Sequence, residues 1–346
     1  MIIMKATTKK RLAVTAIVLA ALAVIYLILV LLPKPHNTKG ENGMMKEGDL
    51  PLLIAHGGGN KEFPDNTLEA FYNAYDADPR VMMETDVSIT KDGVVILSHD
   101  VTIDRKTNRS GRIEDWNYTD LIAEKVDFSY HNSTNDDQEF DGTERVKYQN
   151  GAGVAVKPTD VPGYPEGLPG RDAEVFLATT LRELLTCFPE NRVNVEIKQS
   201  GETGKRALTA ILALLDELDA YDRVVLASFH DEIYAEFKTV QKDNPAFLYS
   251  PAIGGVVKYV ILKTVGLDVF FTDGISVFQI PMKEAGINLA TESLVKNAHK
   301  HNIAVHYWTI DDVEDMKYLI EIGADGIMTN YPHRLKDVYE AYRGES

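Results

Sequence analysis

The sequence predicts an α/β protein: a TIM (β/α)8 barrel with an insertion after its second strand, preceded by one N-terminal transmembrane helix. Three observations support that expectation. Eight short apolar runs alternate with stretches of helical periodicity, the alternation breaks between Asp100 and Thr179, and an uncharged run of 21 residues lies near the start of the chain.

That run, Leu12–Leu32, spans about 30 Å at about 1.5 Å per residue, the thickness of a bilayer's hydrocarbon core. A cleaved signal peptide is the competing reading. Its apolar stretch is normally shorter, and no small-x-small site follows between Pro33 and Gly43, so an uncleaved anchor is the expectation. Lys5, Lys9, Lys10 and Arg11 precede the span, and only Lys34 and Lys39 closely follow it. The positive-inside rule then puts residues 1–11 in the cytoplasm, 12–32 in the cell membrane as a single pass, and the body outside as an extracellular domain. Pro33, Pro35, Gly40 and Gly43 make 33–50 a short tether to a barrel domain at 51–346.

The candidate strands are Leu52–Ala55, Val81–Val87, Val193–Lys198, Val224–Phe229, Ala246–Ser250, Ile275–Ile280, Ala304–Thr309 and Gly326–Thr329. Between them apolar positions recur at helical spacing, as in Leu68/Phe71/Tyr72/Tyr75 and Leu208/Ile211/Leu212/Leu215. Asn66 followed by Glu69 reads as a capping pair for the first of these helices. Residues 101–179, rich in Gly, Pro, Asn and Asp, form the insertion. Above a barrel mouth such a segment is a lid or substrate-selecting unit; the alternative is a tolerated surface excursion.

The formal charge is −16, and because Lys5, Lys9, Lys10 and Arg11 add four positive charges with no acid among them, the rest of the chain sums to −20. Affinity for phosphate backbones comes from clustered cations, so no nucleic-acid partner is expected. Cys187 is the single cysteine, which excludes an intrachain disulfide and a thiolate zinc site; it reads as buried packing.

Glu84 and Asp86 lie two apart on an apolar strand and project from one face, and Glu196 and Lys198 repeat that geometry. Parallel strands are buried on both sides, where neighbouring carboxylates repel unless a cation or proton intervenes. Glu84, Asp86 and Glu196 therefore read as an all-oxygen site for a hard divalent metal, Ca²⁺ or Mg²⁺. Ion pairing with Lys198 and arginines is the alternative, but three carboxylates outnumber the one cation placed beside them. His56 and His99 each terminate an apolar run, and histidine is the side chain suited to proton transfer near neutral pH, so this pair is the acid–base candidate. His36, His131, His299, His301 and His333 sit in polar contexts and read as surface residues, while His306 lies within a strand with either face open to it. Gly57–Gly59 offers backbone amides to a phosphate, a weak signal by itself.

His56-Gly57-Gly58, Pro64-Asp65-Asn66-Thr67, Glu84-Thr85-Asp86-Val87, Thr90-Lys91-Asp92-Gly93 and His99-Asp100 follow one another in an order and spacing that resemble the glycerophosphodiester phosphodiesterase family. Val195-Glu196-Ile197-Lys198, Ser228-Phe229, Val305–Thr309 and Gly326–Pro332 extend the resemblance over residues 52 to 335. It implies a metal-dependent hydrolysis of glycerophosphodiesters to glycerol 3-phosphate and an alcohol, in which the adjacent glycerol hydroxyl attacks phosphorus and water completes the reaction. His56 and His99 become the acid–base pair, Glu84, Asp86 and Glu196 the metal ligands, and Lys198 a phosphate contact. Phe229 and Trp308 wall the glycerol side. Three positions depart from the family: Gly57 stands in place of an arginine, Asp65 of a glutamate and Asn330 of an aspartate. The lost guanidinium leaves two alternatives open. One is a lysophospholipase D-like enzyme acting on lipid headgroups, and the other is a barrel that binds phosphodiesters without cleaving them. The partners expected are thus a small-molecule or lipid glycerophosphodiester and, through the N-terminal helix, the membrane.

Overall fold

The computed structural model describes residues 2–38, 40–133, 140–162 and 171–345. Lys39, counted above among the cations flanking the span, and parts of the insertion at 134–139 and 163–170 lie outside them.

All eight expected strands form: β1 Leu52–Ala55, β2 Met82–Ile89, β3 Val193–Ile197, β4 Val224–Ala227, β5 Leu248–Tyr249, β6 Val277–Ile280, β7 Ala304–Tyr307 and β8 Gly326–Thr329. They pair in parallel in the order β5–β4–β3–β2–β1–β8–β7–β6. Across the remaining gap the Ser276 N–H donates to the Tyr249 carbonyl at 3.0 Å, so the barrel is nearly closed. Lys198, Phe229 and Trp308 fall just past the strand ends, in the loops at the C-terminal mouth.

Strand alternation sorts side chains between two layers. Leu53, Ala55, Met83, Val87, Val195 and Val305 face the surrounding helices, whereas Ile54, Met82, Val225, Leu248, Val277, Ala304 and Met328 fill the barrel interior. Two residues further along the same inward rows come His56, Glu84, Gln279 and Asn330. The site is thus the polar storey above an apolar floor.

The lower end of the barrel is closed by the segment expected to be a tether. Asn42 Nδ2 donates to the carbonyls of Ser276 at 2.7 Å and Asn302 at 2.9 Å, and Met44 is completely buried beneath the interior layer. The Gly and Pro residues around it signal a linker, but Met44 supplies the apolar plug that an open barrel end requires. His306 faces inward here and bonds the Met44 carbonyl through Nε2 at 2.8 Å. His301, expected at the surface, is also buried, between the Pro35 carbonyl at 3.2 Å and Asp268 at 3.1 Å.

The insertion has more order than its composition suggests. Val95–Leu97 folds back antiparallel on β2, and beyond it Ile103, Ile113, Leu121, Val126, Phe128 and Phe176 build a second apolar core. At the other end of the chain, helix Ile2–Leu31 includes Lys10–Leu31, which is long and apolar enough for a membrane span or a signal sequence and is wholly unburied.

Candidate active site

The register of β2 on β3 sets Glu84 beside Asn194 and Asp86 beside Glu196. Oxygens of Glu84, Asp86 and Glu196 consequently lie within 4.8 Å of one another. Lys198 Nζ sits 3.0 Å from Glu196 and 3.5 Å from Asp86. His56 enters from the end of β1, its Nε2 4.0 Å from Glu84, and His99 enters from the loop after the returning strand. These residues line one cavity of about 240 Å³ together with Phe229 and Trp308, whose rings meet edge to face at 6.2 Å. Gly57 lines a small adjoining recess and donates its N–H to Glu84 Oε2 at 2.8 Å. All nine residues singled out in the sequence therefore meet at one mouth.

Two buried carboxylates and the partly exposed Glu196, with one lysine, are short of positive charge. Burial and the neighbouring Asp86 push Glu84 up to about 8, and burial raises Glu196 against the pull of Lys198. Asp86 moves the other way: burial opposes its ionisation, but Lys198, His99, His56 and the Asn66 amide outweigh that cost. A divalent ion fits the set chemically, since all donors are carboxylate oxygens. It fits in size as well, because oxygens on opposite sides of a Ca²⁺ are about 5 Å apart.

The two histidines are held differently. Asp311 accepts from Asn330 Nδ2 at 2.8 Å and so turns Oδ1 toward His56 Nδ1, 2.8 Å away. With Nδ1 against this amide oxygen, His56 turns Nε2 toward Glu84, 4.0 Å away. His99 Nδ1 lies 2.8 Å from the Asp100 carboxylate, which Arg105 grips through Nε at 2.8 Å. Burial works against protonation of His99, but Asp86 and Asp100 overcome it and raise its pKa.

Several site residues escaped the sequence reading. Asn66, expected to cap a helix, has φ of 57° and turns its side chain into the site, donating to Asp86 at 3.1 Å and accepting from Thr85 Oγ1 at 2.7 Å. Thr67 caps the helix instead, accepting from the Ala70 N–H at 3.3 Å, and Glu69 is buried against Arg171. Asn194 Oδ1 and Gln279 Nε2 lie buried in the cavity wall with no hydrogen-bond partner among the described residues, ready to meet a polar ligand. Strand alternation was the available signal, since both are polar residues on inward rows. Arg105 and Lys106 come from the insertion and are almost fully buried. Lys106 Nζ donates to Asp65 at 2.5 Å, and Arg105 shares the recess with His56, Gly57 and His99.

Residues 56–334 match the Glycerophosphoryl diester phosphodiesterase family. The chain belongs to that family. This bears out the resemblance seen in the motifs, and with it the enzyme class. Among relatives, a probable glycerophosphodiester phosphodiesterase 2 of Mycobacterium tuberculosis is 24% identical over 87% of this chain and 98% of its own length. The mouse lysophospholipase D GDPD1 is 24% identical over 84% of this chain and 87% of its own length. A phosphodiesterase of Oleispira antarctica, solved in complex with the product sn-glycerol-3-phosphate, shares the fold with a TM-score of 0.57 at 17% identity, covering 84% of this chain and 97% of that one. Within the family frame the glycine at 57 has a local correlate. A Cβ there would lie 3.0 Å from the Asp65 Cβ, and Asp65 is the carboxylate that Lys106 neutralises.

Proposed function

We propose that this phosphodiesterase hydrolyses glycerophosphodiesters to glycerol 3-phosphate and an alcohol, using His56 as base and His99 as acid. The observation that supports this best is the unequal setting of the two histidines around one carboxylate cluster. His56, backed by a neutral amide, accepts the proton of the attacking hydroxyl at Nε2. His99, backed by the Asp100 carboxylate, delivers a proton to the leaving alkoxide. Lys198 fixes the phosphate charge, and Asn194 and Gln279 offer an acceptor and a donor to the glycerol hydroxyls. Glu84, Asp86 and Glu196 would hold a Ca²⁺ or Mg²⁺, which would supply charge neutralisation. The N-terminal helix serves as a single-pass anchor with residues 1–11 cytoplasmic and the barrel, 51–346, on the outer surface.

The test is release of glycerol 3-phosphate from glycerophosphocholine. Activity should be abolished by chelation, restored by Ca²⁺ or Mg²⁺, and lowered about 10²–10⁴-fold in His56→Ala and His99→Ala. Metal-dependent binding without turnover would instead make the chain a phosphodiester-binding barrel. A lipid substrate is the second reading, favoured by Phe229, which stands half-exposed at the rim of the pocket.

A further inference from the structure

Helix Ile253–Thr264 begins two residues after Pro251, which lines the catalytic pocket, and runs down the outside of the barrel to the corner where the N-terminal helix arrives. At every fourth position it and the residue after it expose an aliphatic side chain: Ile253, Val257, Ile261 and Val265, each between 44% and 62% accessible. Phe270, 55% accessible, continues the stripe. Spacing of four keeps these side chains on one face, and such a face on a water-soluble surface has no partner.

The lower end of the stripe touches the proposed anchor. Tyr26 Oη donates to the Val265 carbonyl at 2.8 Å, and Gly266 is so close to Val30 and Tyr26 that a Cβ there would come within 3.0 and 3.2 Å of them. Tyr26 precedes the end of the apolar run, Leu32, by six residues, or about 9 Å of helix. Val30 precedes Leu32 by only two residues, so Val265 and Gly266 are held about 3–9 Å of anchor helix below the end of the apolar run, and interfacial helices bury their apolar face to about 5–10 Å. The chain's net charge of −16 gives no electrostatic attraction to an acidic lipid surface, so apolar insertion is what this face has to offer.

We infer that the stripe from Ile253 to Val265, with Phe270, lies in the outer leaflet of the bilayer that holds the N-terminal helix. It thereby holds the pocket mouth at headgroup level. This rests on the anchoring proposed above. The occupant of the face is lipid, and the substrate class it favours is a phosphodiester that is itself part of a membrane amphiphile.

The test uses the full chain with Cys187→Ser and a single Val257→Cys labelled with an environment-sensitive fluorophore, reconstituted in phosphatidylcholine vesicles carrying a lipid-borne quencher. The label at 257 should shift to the blue and lose at least half its intensity, while one placed by Asp76→Cys, on the helix after β1 across the barrel, should not. Vesicle-bound protein with a water-exposed label at 257 overturns the inference and leaves the anchor standing. Protein that fails to float with vesicles overturns the anchor and the inference together. Quenching replaced by crosslinking at 257 between two copies makes the stripe a dimer face and also overturns it. In parallel, Val257→Glu/Ile261→Glu should slow hydrolysis of vesicle-borne lysophosphatidylcholine at least ten-fold, with glycerophosphocholine turnover and thermal unfolding unchanged. An equal effect of the double substitution on both substrates, or none on either, would refute the orientation.

Discussion

Lys106→Met isolates the charge balance at position 57. In the native protein Asp65 is buried and held well below its usual pKa, because Lys106 at 2.5 Å and Arg105 at 3.8 Å overcome the cost of burial. Lys106 lies below its own usual range, since burial and the adjacent guanidinium outweigh the pull of Asp65 and Asp100. Removing one member of a buried ion pair costs about 3–5 kcal/mol. Arg105 remains nearby, so the low end, about 3 kcal/mol, is expected, or about 6 °C in Tm for a domain of this size. Asp65→Asn should cost a similar amount by stranding Lys106, while Asp65→Asn/Lys106→Met should recover to within about 1 kcal/mol of the native protein. Urea and thermal unfolding of the four proteins in detergent measure the coupling. A Lys106→Met cost below about 1 kcal/mol, or a double variant equal to the sum of the singles, would refute this account. The same reasoning makes Gly57→Arg harmful here: a left-handed φ of 55° adds about 1–2 kcal/mol of strain, and a third cation joins Arg105 and Lys106. Gly57→Arg/Lys106→Thr should regain part of the lost activity.

The acid and base are separable by leaving group. His99→Ala should lose about 10²–10⁴-fold on an alkyl ester but much less on a p-nitrophenyl ester, whose leaving group needs no proton, whereas His56→Ala should be equally slow on both. Equal losses in His99→Ala would reverse or remove the assignment. Met44→Ala should destabilise by about 2–5 kcal/mol without changing KM, because it empties the plug at the far end of the barrel from the mouth. Asp268 sets an acid limit at the same end. Burial opposes its ionisation, but bonds from Lys34, Asn297 and His301 lower it from 3.8 to about 2. A depressed carboxyl stabilises the fold above its unfolded pKa, so this contribution is present above about pH 4 and disappears between about pH 4 and 2. Asp268→Asn should be less stable at neutral pH and converge with the native protein near pH 2 in unfolding scans.

Barrel strands and the metal-ligand candidates were legible because the same period governs both. Once Met82 is inward, Glu84 and Asp86 are inward as well, and one register between β2 and β3 brings Glu196 beside them. Asn194 and Gln279 obey the same rule and were overlooked because amides carry no charge to draw attention. The lower plug was hidden for a different reason. Met44 and Asn42 sit among glycines and prolines, whose local signal is a linker, and the need for them arises only when eight strand ends are gathered into one opening.

The surroundings of Gly57 are the least legible part of the site. A lysine in a polar stretch is almost always solvated, so nothing local marks Lys106 as buried. Its partner is Asp65, whose Cβ lies 3.0 Å from where a Cβ at position 57 would stand. Gly57, Asp65 and Lys106 lie far enough apart in sequence that each looks like an isolated substitution. Around them Arg105 and Lys106, both from the insertion, pair with the carboxylates of Asp65 and Asp100 beside His56 and His99. The insertion is therefore part of the site's electrostatics, and deleting it would remove Arg105 from Asp100 and with it the support that keeps His99 oriented.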